Sequence, residues 1–407
     1  MVEIHPQMTV LEVTDRYPET IQVLVESGFP RMGDPERRQA QGRVLTLQAA
    51  AQLRQVDLDQ LLERLRAVAA THTEQDVTLD GSELSLLPPG DIRISGLLPC
   101  PVRVPILEAV QQLAQRMWSE QQLRLGYSLS AASVGADRLN RQIAAVQHAS
   151  QLPELFISAG FESFFDRANL RRFKDADVFV DVADAGQNPC FGDLQLRDPD
   201  GHFTILAVVP AVFLVNHNLL GDDPPPRTWD ELLHPRFERR VALPVGDFDL
   251  FNGILLNLHR LFGEEGIRAL ARNMLVSLHP SQTVGRFAGR EAQPAISVVP
   301  YFFSKMTMNS KVIRTVWPED GAIISPIFML VQRSGLPAAL PVARLFLSRP
   351  VGEVLAHRGL FPVIDPAVDN RLPPTTRFHW LGWDYIQQHD LGQLIPHLVA
   401  LFRQGGE

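Results

Sequence analysis

From residue 92 to the C-terminus, short apolar runs alternate with segments of helical periodicity. The runs IRISGLL, LRLGYSL and ELFISAG are followed by helices predicted at 102–118, near 136–148 and from Phe161 onward. On the first of these helices the apolar residues share one face: Ile106, Val110, Leu113 and Met117. This strand–helix repetition predicts an α/β fold with a mostly parallel sheet that is covered by helices on both faces.

Four more apolar runs predict further buried strands: FTILAVVPAVFLV, RVALPV, PAISVVP and AIISPIFMLV. Helices are predicted among them at 250–262, 264–273, 337–348 and 351–358. The region is too long for one sheet of ordinary size, so two α/β lobes are predicted.

Residues 1–75 predict a small helical domain. Thr9, Thr46 and Asp57 stand where helix N-caps are needed, and Gln60 occupies the reciprocal capping position after Asp57. The helix after Asp57 carries an apolar stripe: Leu58, Leu61, Leu62, Leu65 and Val68. Residues 76–91 mix charge with glycine and a proline pair, which predicts a linker before the α/β region at 92–407.

Composition excludes several classes of protein. The 407 residues are 45% apolar and 21% charged, as in ordinary globular proteins, and a formal net charge of -8 gives no reason to expect nucleic acid as a partner. Two cysteines, Cys100 and Cys190, are too few for a disulfide framework and fit no zinc spacing. The motifs of NTPases, dinucleotide-binding enzymes, zinc proteases and serine hydrolases are missing, so no cofactor, metal or catalytic residue is predicted.

The N-terminal segment does not resemble a signal peptide, because Glu3, His5 and Asp15 stand where a basic start and an apolar stretch are needed. The longest apolar run, 205–215, has strand length and is interrupted by Pro210. We therefore expect no membrane span and, for the chain as written, a cytoplasmic location. If the protein is exported by a pathway whose signal we do not recognise, its location is the periplasm or the cell surface.

Three segments carry a resemblance to a known family. PPPRTWDELLHPRFERRVALPVGDFDLFNGILLNLHRLFGEEGIRALARN (224–273) resembles the interlobe region of ABC-transporter solute-binding proteins of the type 2 periplasmic fold. VIRTVWPEDGAIISPIFMLVQ (312–332) and ARLFLSRPVGEVLAHRGLFPV (343–363) are similar to that family's return strand and closing helices.

The N-terminal region carries a second resemblance. Residues 9–70 resemble the small helical domain of unknown function found in front of hemerythrin-like iron–sulfur repair proteins. The paired cysteines of that domain are replaced here by SGFPRMGD, which favours a docking role.

The resemblance implies a two-lobed, type 2 periplasmic-binding-protein-like clamshell preceded by a small all-α domain. Lobe 1 is expected at about 92–210 and 325–407, and lobe 2 at about 211–324. In such a fold a ligand lies in the cleft, where strand ends and helix N-termini from both lobes contact it. Closure of the lobes then supplies selectivity.

Two candidate ligand-binding residues stand at the first strand end. Cys100 precedes helix 102–118, where backbone N–H groups favour an anion and lower a thiol pKa. It is either a ligand contact or reactive thiolate, or a small buried residue in a proline-fixed turn. Arg103 is either a clamp for a carboxylate or oxyanion, or a solvated charge in the first helical turn.

Further candidates follow later strands. Ser158, Gly160 and Phe161 end the third strand, where hydroxyl and backbone donors suit a ligand. Asp247 and Phe248 precede helix 250–262; Asp247 and Asp249 either bind a cation or amine or cap the helix, and capping by Asp249 is favoured. Tyr301 follows the strand AISVVP. Ferric-ion members of the family present adjacent tyrosines, whereas Phe302 follows Tyr301 here, which argues against iron(III) bound by a tyrosine pair.

The leading hypothesis is therefore a protein that holds a small-molecule or ion solute without chemistry. It is either the substrate-binding component of an ABC-type transporter, with a permease as partner, or a cytosolic receptor derived from one. The alternatives are an enzyme on the same clamshell, or a regulatory protein whose helical domain reports ligand state to a protein partner.

Overall fold

A computed structural model describes residues 4–16, 20, 23–24, 27, 29, 32, 42, 45–54, 56–65, 85–131, 139, 141–161, 165–167, 172–184, 186–245, 248–277, 293–307, 310 and 312–406. The chain divides into two compact units, Met1–Leu84 and Ser85–Glu407. Residues 76–84 of the predicted linker at 76–91 lie outside the described residues.

The first unit is helical where it is described. It contains α1 (Val10–Arg16), α2 (Leu47–Arg54) and helical residues 58–65. The three predicted N-caps are confirmed: Thr9 Oγ1 accepts from Glu12 N at 3.1 Å, Thr46 Oγ1 from Ala49 N at 3.2 Å, and Asp57 Oδ1 from Gln60 N at 2.9 Å. Leu61, Leu62 and Leu65 of the predicted stripe are buried in the core of this unit, whereas Val68 lies outside the described residues.

In the part of the second unit that the structure describes, the strands form one mixed sheet of eleven. Its strands are β1 (Ile92–Leu98), β2 (Leu125–Ala131), β3 (Leu155–Ala159), β4 (Phe179–Val180), β5 (Thr204–Asn216), β6 (Val241–Leu243), β7 (Met274–Ser277), β8 (Ile296–Pro300), β9 (Ile313–Val316), β10 (Ala322–Gln332) and β11 (Phe378–His379). The order is β2-β1-β3-β10-β5-β8-β6-β7, with β4 and β11 pairing β10 and β9 pairing β5.

Helices cover this sheet. They are α3 (Cys100–Gln121), α4 (Arg172–Asp175), α5 (His217–Leu220), α6 (Trp229–Leu232), α7 (Phe248–Asn273), α8 (Leu336–Phe346), α9 (Arg349–Glu353), α10 (Trp383–Gln388) and α11 (Leu391–Gly405). A π-helical turn, Val354–Arg358, extends α9, and a 3-10 turn, Tyr301–Thr307, follows β8. The α/β class predicted from the sequence is confirmed.

The expectation of a mostly parallel sheet is wrong. Among the described residues, β1 pairs in parallel with β2 and β3, and β6 with β7 and β8. However, β5 and β10 run antiparallel to each other and to their other long neighbours, β3 and β8. These two long strands join the two parallel groups. The chain crosses from one group to the other along β5 and returns along β10, so the two strands run in opposite directions.

The boundary predicted between two helices is confirmed. The helices predicted at 250–262 and 264–273 meet within α7 at Gly263, where the backbone is not helical: φ is 64° and ψ is -162°. Side chains avoid that backbone conformation, which is why glycine stands there. The ring of Phe402 on α11 packs on that of Phe251 on α7, with centroids 5.1 Å apart. The last helix therefore contacts a helix from the region expected as lobe 2, and the lobe boundaries stay a prediction.

A hydrogen-bonded ion pair fixes the start of the sheet. Glu154 accepts from the backbone N, Nε and an Nη of Arg93 on β1, at 2.7, 3.1 and 2.6 Å. Burial alone would raise the pKa of Glu154, but these hydrogen bonds outweigh it and the pKa is lowered. The ionised carboxylate therefore stabilises the fold at pH values above the ordinary pKa of glutamate. This stabilisation is lost as the pH falls through the lowered pKa of Glu154.

We expect Glu154→Gln to lower the free energy of unfolding by roughly 2 kcal/mol at neutral pH, because Arg93 loses its charged partner. The difference between variant and wild type should shrink as the pH falls below about 4. Urea denaturation at several pH values measures both effects. A difference that stays constant down to low pH would contradict this account.

Candidate functional site

The two halves of the sheet meet within strand β5. Its residues up to Pro210 pair with β10, whereas Ala211 to Asn216 pair with β8 and β9. Ala211 lies opposite Pro300, the last residue of β8. Tyr301 follows Pro300 directly and therefore lies beside the point where β5 changes partners.

A second segment reaches the same point from the other half of the sheet. After the π-helical turn, the chain runs along the first half of β5. Val208 N donates to Pro362 O at 2.9 Å, and Ile364 N donates to Leu206 O at 3.0 Å. These bonds hold residues 362–364 next to the crossing.

A cavity of about 90 Å³ lies between the two segments. We call it the crossing pocket. Its polar lining consists of Tyr301, His357, Asn370 and Arg371, and its apolar lining comes from 356–372. One wall thus follows β8, and the other is the segment that pairs with the first half of β5.

Tyr301 contributes a neutral phenol. Its side chain is half-buried, and burial raises the pKa of the phenol. The ring packs edge-on against Trp317, with centroids 5.0 Å apart. At neutral pH the hydroxyl is therefore a hydrogen-bond donor and acceptor and not a phenolate.

His357 and Asn370 are fixed by the backbone around them. His357 Nε2 lies 2.8 Å from the carbonyl oxygen of Asp369, which can only accept, so this ring nitrogen carries a proton. Asn370 Oδ1 accepts from Val363 N at 2.7 Å, and Nδ2 donates to Val363 O at 2.9 Å and to Cys190 Sγ at 3.2 Å. Asn370 therefore shapes the pocket wall. Burial raises the pKa of the Cys190 thiol, which disfavours a thiolate there.

Two residues that line the pocket have left-handed backbones. The φ angles of Leu360 and Arg371 are 51° and 53°, a region that residues with side chains seldom adopt. Arg371 N donates to Asp369 Oδ1 at 2.9 Å, which holds this turn. Among the described residues, the Arg371 guanidinium has no ion-pair partner, and the residue is exposed.

Lys305 joins the two walls. It lies on the turn that begins at Tyr301, and its Nζ donates to the carbonyl oxygens of His357 and Arg358 at 2.8 and 2.9 Å. These carbonyls end the π-helical turn, where a cation is favourable. Burial lowers the pKa of Lys305.

The first candidates lie at the start of a helix that contacts one of the segments around this pocket. Cys100 is the first residue of α3, after the N-cap Pro99, so the helix begins two residues earlier than predicted; the Cys100 side chain lies outside the description. Arg103 lies in the first turn and is half-buried. The neighbouring Val102 packs on Gly359, where an added Cβ would lie 2.7 Å from Val102 Cγ1. The start of α3 therefore contacts the turn between His357 and Leu360.

The structure places the β3 candidates in the interior. Ser158 lies within β3, opposite Phe328, and is 3% exposed. Gly160 N donates to Pro326 O at 2.9 Å. Phe161 is fully buried and packs with Phe165 and Trp380, at centroid distances of 5.5 and 5.7 Å. In this conformation neither side chain is open to a solute, because the segment after β3 turns into the aromatic core.

The candidates of the 246–249 loop are not described. Asp247 lies outside the described residues, and Phe248 begins α7 with a side chain that is also outside the description. Their roles, and capping by Asp249, stay predictions.

The turn at 317–320 is held by contacts within the fold. Trp317 Nε1 donates to Arg377 O at 2.9 Å, Arg227 pairs with Glu319, and Trp229 N donates to Asp320 Oδ2 at 3.0 Å.

Sequence reasoning missed His357, Asn370 and Arg371. They come together only because residues 362–364 pair with β5, and no local sequence pattern predicts that long-range pairing.

Among the described residues, no cluster of three His, Cys, Asp or Glu side chains is arranged to hold a metal ion. None of the helices in the described part of the chain combines the length and apolar character that crossing a membrane requires.

Solved structures share this fold. A ferric binding protein from Campylobacter jejuni is 14% identical, with a TM-score of 0.52, and the match covers 78% of this chain and 99% of that one. A Trichodesmium protein solved with iron and citrate ligands is 13% identical, with a TM-score of 0.53 and coverage of 77% and 99%. The substrate binding protein of an ABC transporter from Agrobacterium tumefaciens is 13% identical, with a TM-score of 0.51 and coverage of 77% and 95%. The predicted two-lobed fold is confirmed.

Sequence comparisons agree. The model described as Domain of unknown function (DUF1858) matches residues 4–62, which confirms the identity predicted for the helical unit. A search of curated proteins finds no match. The model described as Bacterial extracellular solute-binding protein matches residues 150–389, more than half of the chain. The chain is therefore a member of the bacterial extracellular solute-binding protein family.

Proposed function

We propose that this solute-binding protein holds its solute in the crossing pocket and delivers it to an ABC-type permease without chemical turnover. The observation that carries the proposal is the position of the pocket. Its walls belong to the two halves of the sheet and meet where β5 changes partners. A solute that contacts both walls favours the arrangement in which they are close, which couples binding to closure.

The start of α3 supports this location. Val102 contacts Gly359, which precedes the pocket residue Leu360, and on this ground we propose that Cys100 and Arg103 lie near the solute. We propose Tyr301, His357 and Arg371 as the primary ligand contacts, with Arg103 and Cys100 beside them. Ser158, Gly160, Phe161, Asp247 and Phe248 are secondary candidates.

The helical unit is proposed to dock on a protein partner, because SGFPRMGD stands where the related domain has paired cysteines. The name of the matched family refers to extracellular proteins, whereas the cytoplasmic location expected from the sequence remains a prediction.

Calorimetric titration of the full chain tests the proposal. The probes are sulfate, inorganic phosphate, citrate, ferric citrate, ferric ion and spermidine. Iron and citrate are included because the structure of the Trichodesmium protein contains them, although 13% identity transfers only the fold. One class should bind and raise the melting temperature; a ligand at a hundredfold excess over Kd stabilises the folded state by about 2.7 kcal/mol. Absence of binding by every probe to the folded protein would contradict the proposal.

We expect Lys305→Met to weaken solute affinity roughly tenfold, because two hydrogen bonds between the pocket walls are lost. The dissociation rate should increase more than the association rate decreases, since the walls separate more readily. Lys305→Arg keeps a charged donor and should recover most of the affinity. Stopped-flow fluorescence of Trp317, which packs on Tyr301, measures both rates. Equal affinities for Lys305→Met and wild type would rule out this bridge.

A further inference from the structure

We infer that the solute is an anion with oxygen acceptors, either a carboxylate or a small oxyanion, and that Arg371 selects its charge. The inference rests on the proposed function, because it assigns a charge to the solute of the same pocket.

The charges around the crossing pocket are mostly positive. Arg371 lines it, Lys305 lies behind the His357 wall, and Arg358 ends that wall. No carboxylate is among the described lining residues. Asp369 is an acid beside the pocket; its carbonyl oxygen accepts from His357 and its Oδ1 accepts from Arg371 N. In a chain with a formal net charge of -8, this local excess of cations favours a negative solute.

Arg371 combines a left-handed backbone with a guanidinium for which the described residues provide no ion-pair partner. A left-handed backbone at a residue with a side chain costs free energy, and such residues persist where the surroundings fix them. Here the hydrogen bond to Asp369 fixes the backbone, while the guanidinium has no ion-pair partner among the described residues. A planar guanidinium is well matched to a carboxylate or oxyanion, which it binds through two parallel hydrogen bonds.

The opposite wall offers a donor. Burial raises the pKa of Tyr301, so the phenol remains protonated and donates to an anion. Phe302 supplies no second hydroxyl beside it.

The size of the cavity limits the group that enters. A volume of about 90 Å³ is smaller than the cavity of roughly 150 Å³ that holds a benzene molecule. That space suits one carboxylate or one tetrahedral oxyanion. A larger solute such as citrate would place a single carboxylate there and extend outside.

The experiment is calorimetric titration of the full-length wild type, Arg371→Gln, Arg371→Lys and Arg344→Gln with sulfate, inorganic phosphate, citrate, ferric ion and spermidine. Arg344→Gln is the matched control, because this arginine is exposed on α8 and does not line the pocket. We expect wild type and Arg344→Gln to bind the same anion within a factor of two. Arg371→Gln should lose about thirtyfold or more, Arg371→Lys should recover part of the loss, and wild-type affinity should fall with rising salt. Thermal unfolding verifies that each variant is folded.

The outcomes separate the two claims. If a cation or amine binds to wild type, or if Arg371→Gln binds the anion as tightly as wild type, the inference is overturned while the proposed function stands. If none of the probes binds to the folded wild-type protein, both the inference and the proposed function fail.

Discussion

Replacing Gly96 with alanine is expected to lower the free energy of unfolding by roughly 4 kcal/mol or more. Gly96 lies in β1 between β2 and β3, opposite Leu129 and Ile157, with φ at 154°. A Cβ at this position would overlap the carbonyl oxygen of Ile157 and lie 2.8 Å from its carbonyl carbon. Neither backbone can move away, because both strands are held by neighbours.

Urea denaturation followed by circular dichroism measures the loss, and Gly192→Ala is the control. Gly192 also has a positive φ, 55°, but an added Cβ meets nothing within 4 Å. Its substitution should cost only the backbone strain, roughly 1–3 kcal/mol. If both variants lose the same stability, the overlap with β3 is not the cause.

Trp229→Ala is expected to cost roughly 4 kcal/mol, the second of the large effects. Trp229 is fully buried, its Nε1 donates to Gly321 O at 2.9 Å, and its ring packs edge-on against Phe213 at 4.9 Å. The substitution leaves a large cavity and an unpaired carbonyl oxygen between α6 and the turn before β10.

The same substitution at an exposed tryptophan is the control. Trp118 is 49% exposed on α3, so Trp118→Ala should change the free energy of unfolding by no more than about 1 kcal/mol. Trp229→Phe keeps part of the packing but loses the hydrogen bond, and should fall between Trp229→Ala and wild type. Equal losses for Trp118→Ala and Trp229→Ala would contradict the packing described here.

Local features were predictable because their causes are local. The caps at Thr9, Thr46 and Asp57 need only a side chain and a backbone N–H three residues later. Gly263 marks the kink of α7 because only glycine tolerates that backbone. The run at 204–216 was recognisable as buried strand, but its change of partners after Pro210 was not, since pairing depends on strands far away in the sequence.

The site was predictable only in part. Tyr301 stands directly after a buried strand, a position that favours ligand contact in α/β folds, and the structure places it in a cavity. Phe161 occupies a similar position in the sequence, yet its segment turns into the aromatic core. His357 lies within the last predicted helix of the resemblance and Arg371 follows it, and the two residues reach the pocket only through the pairing of 362–364 with β5.

A crystal structure of the full chain grown with the anion that binds most tightly tests the central claim most directly. The account predicts that the anion lies in the crossing pocket, with its oxygen atoms within hydrogen-bonding distance of the Tyr301 hydroxyl and the Arg371 guanidinium. An anion bound elsewhere, with this pocket closed by its own side chains, would contradict it.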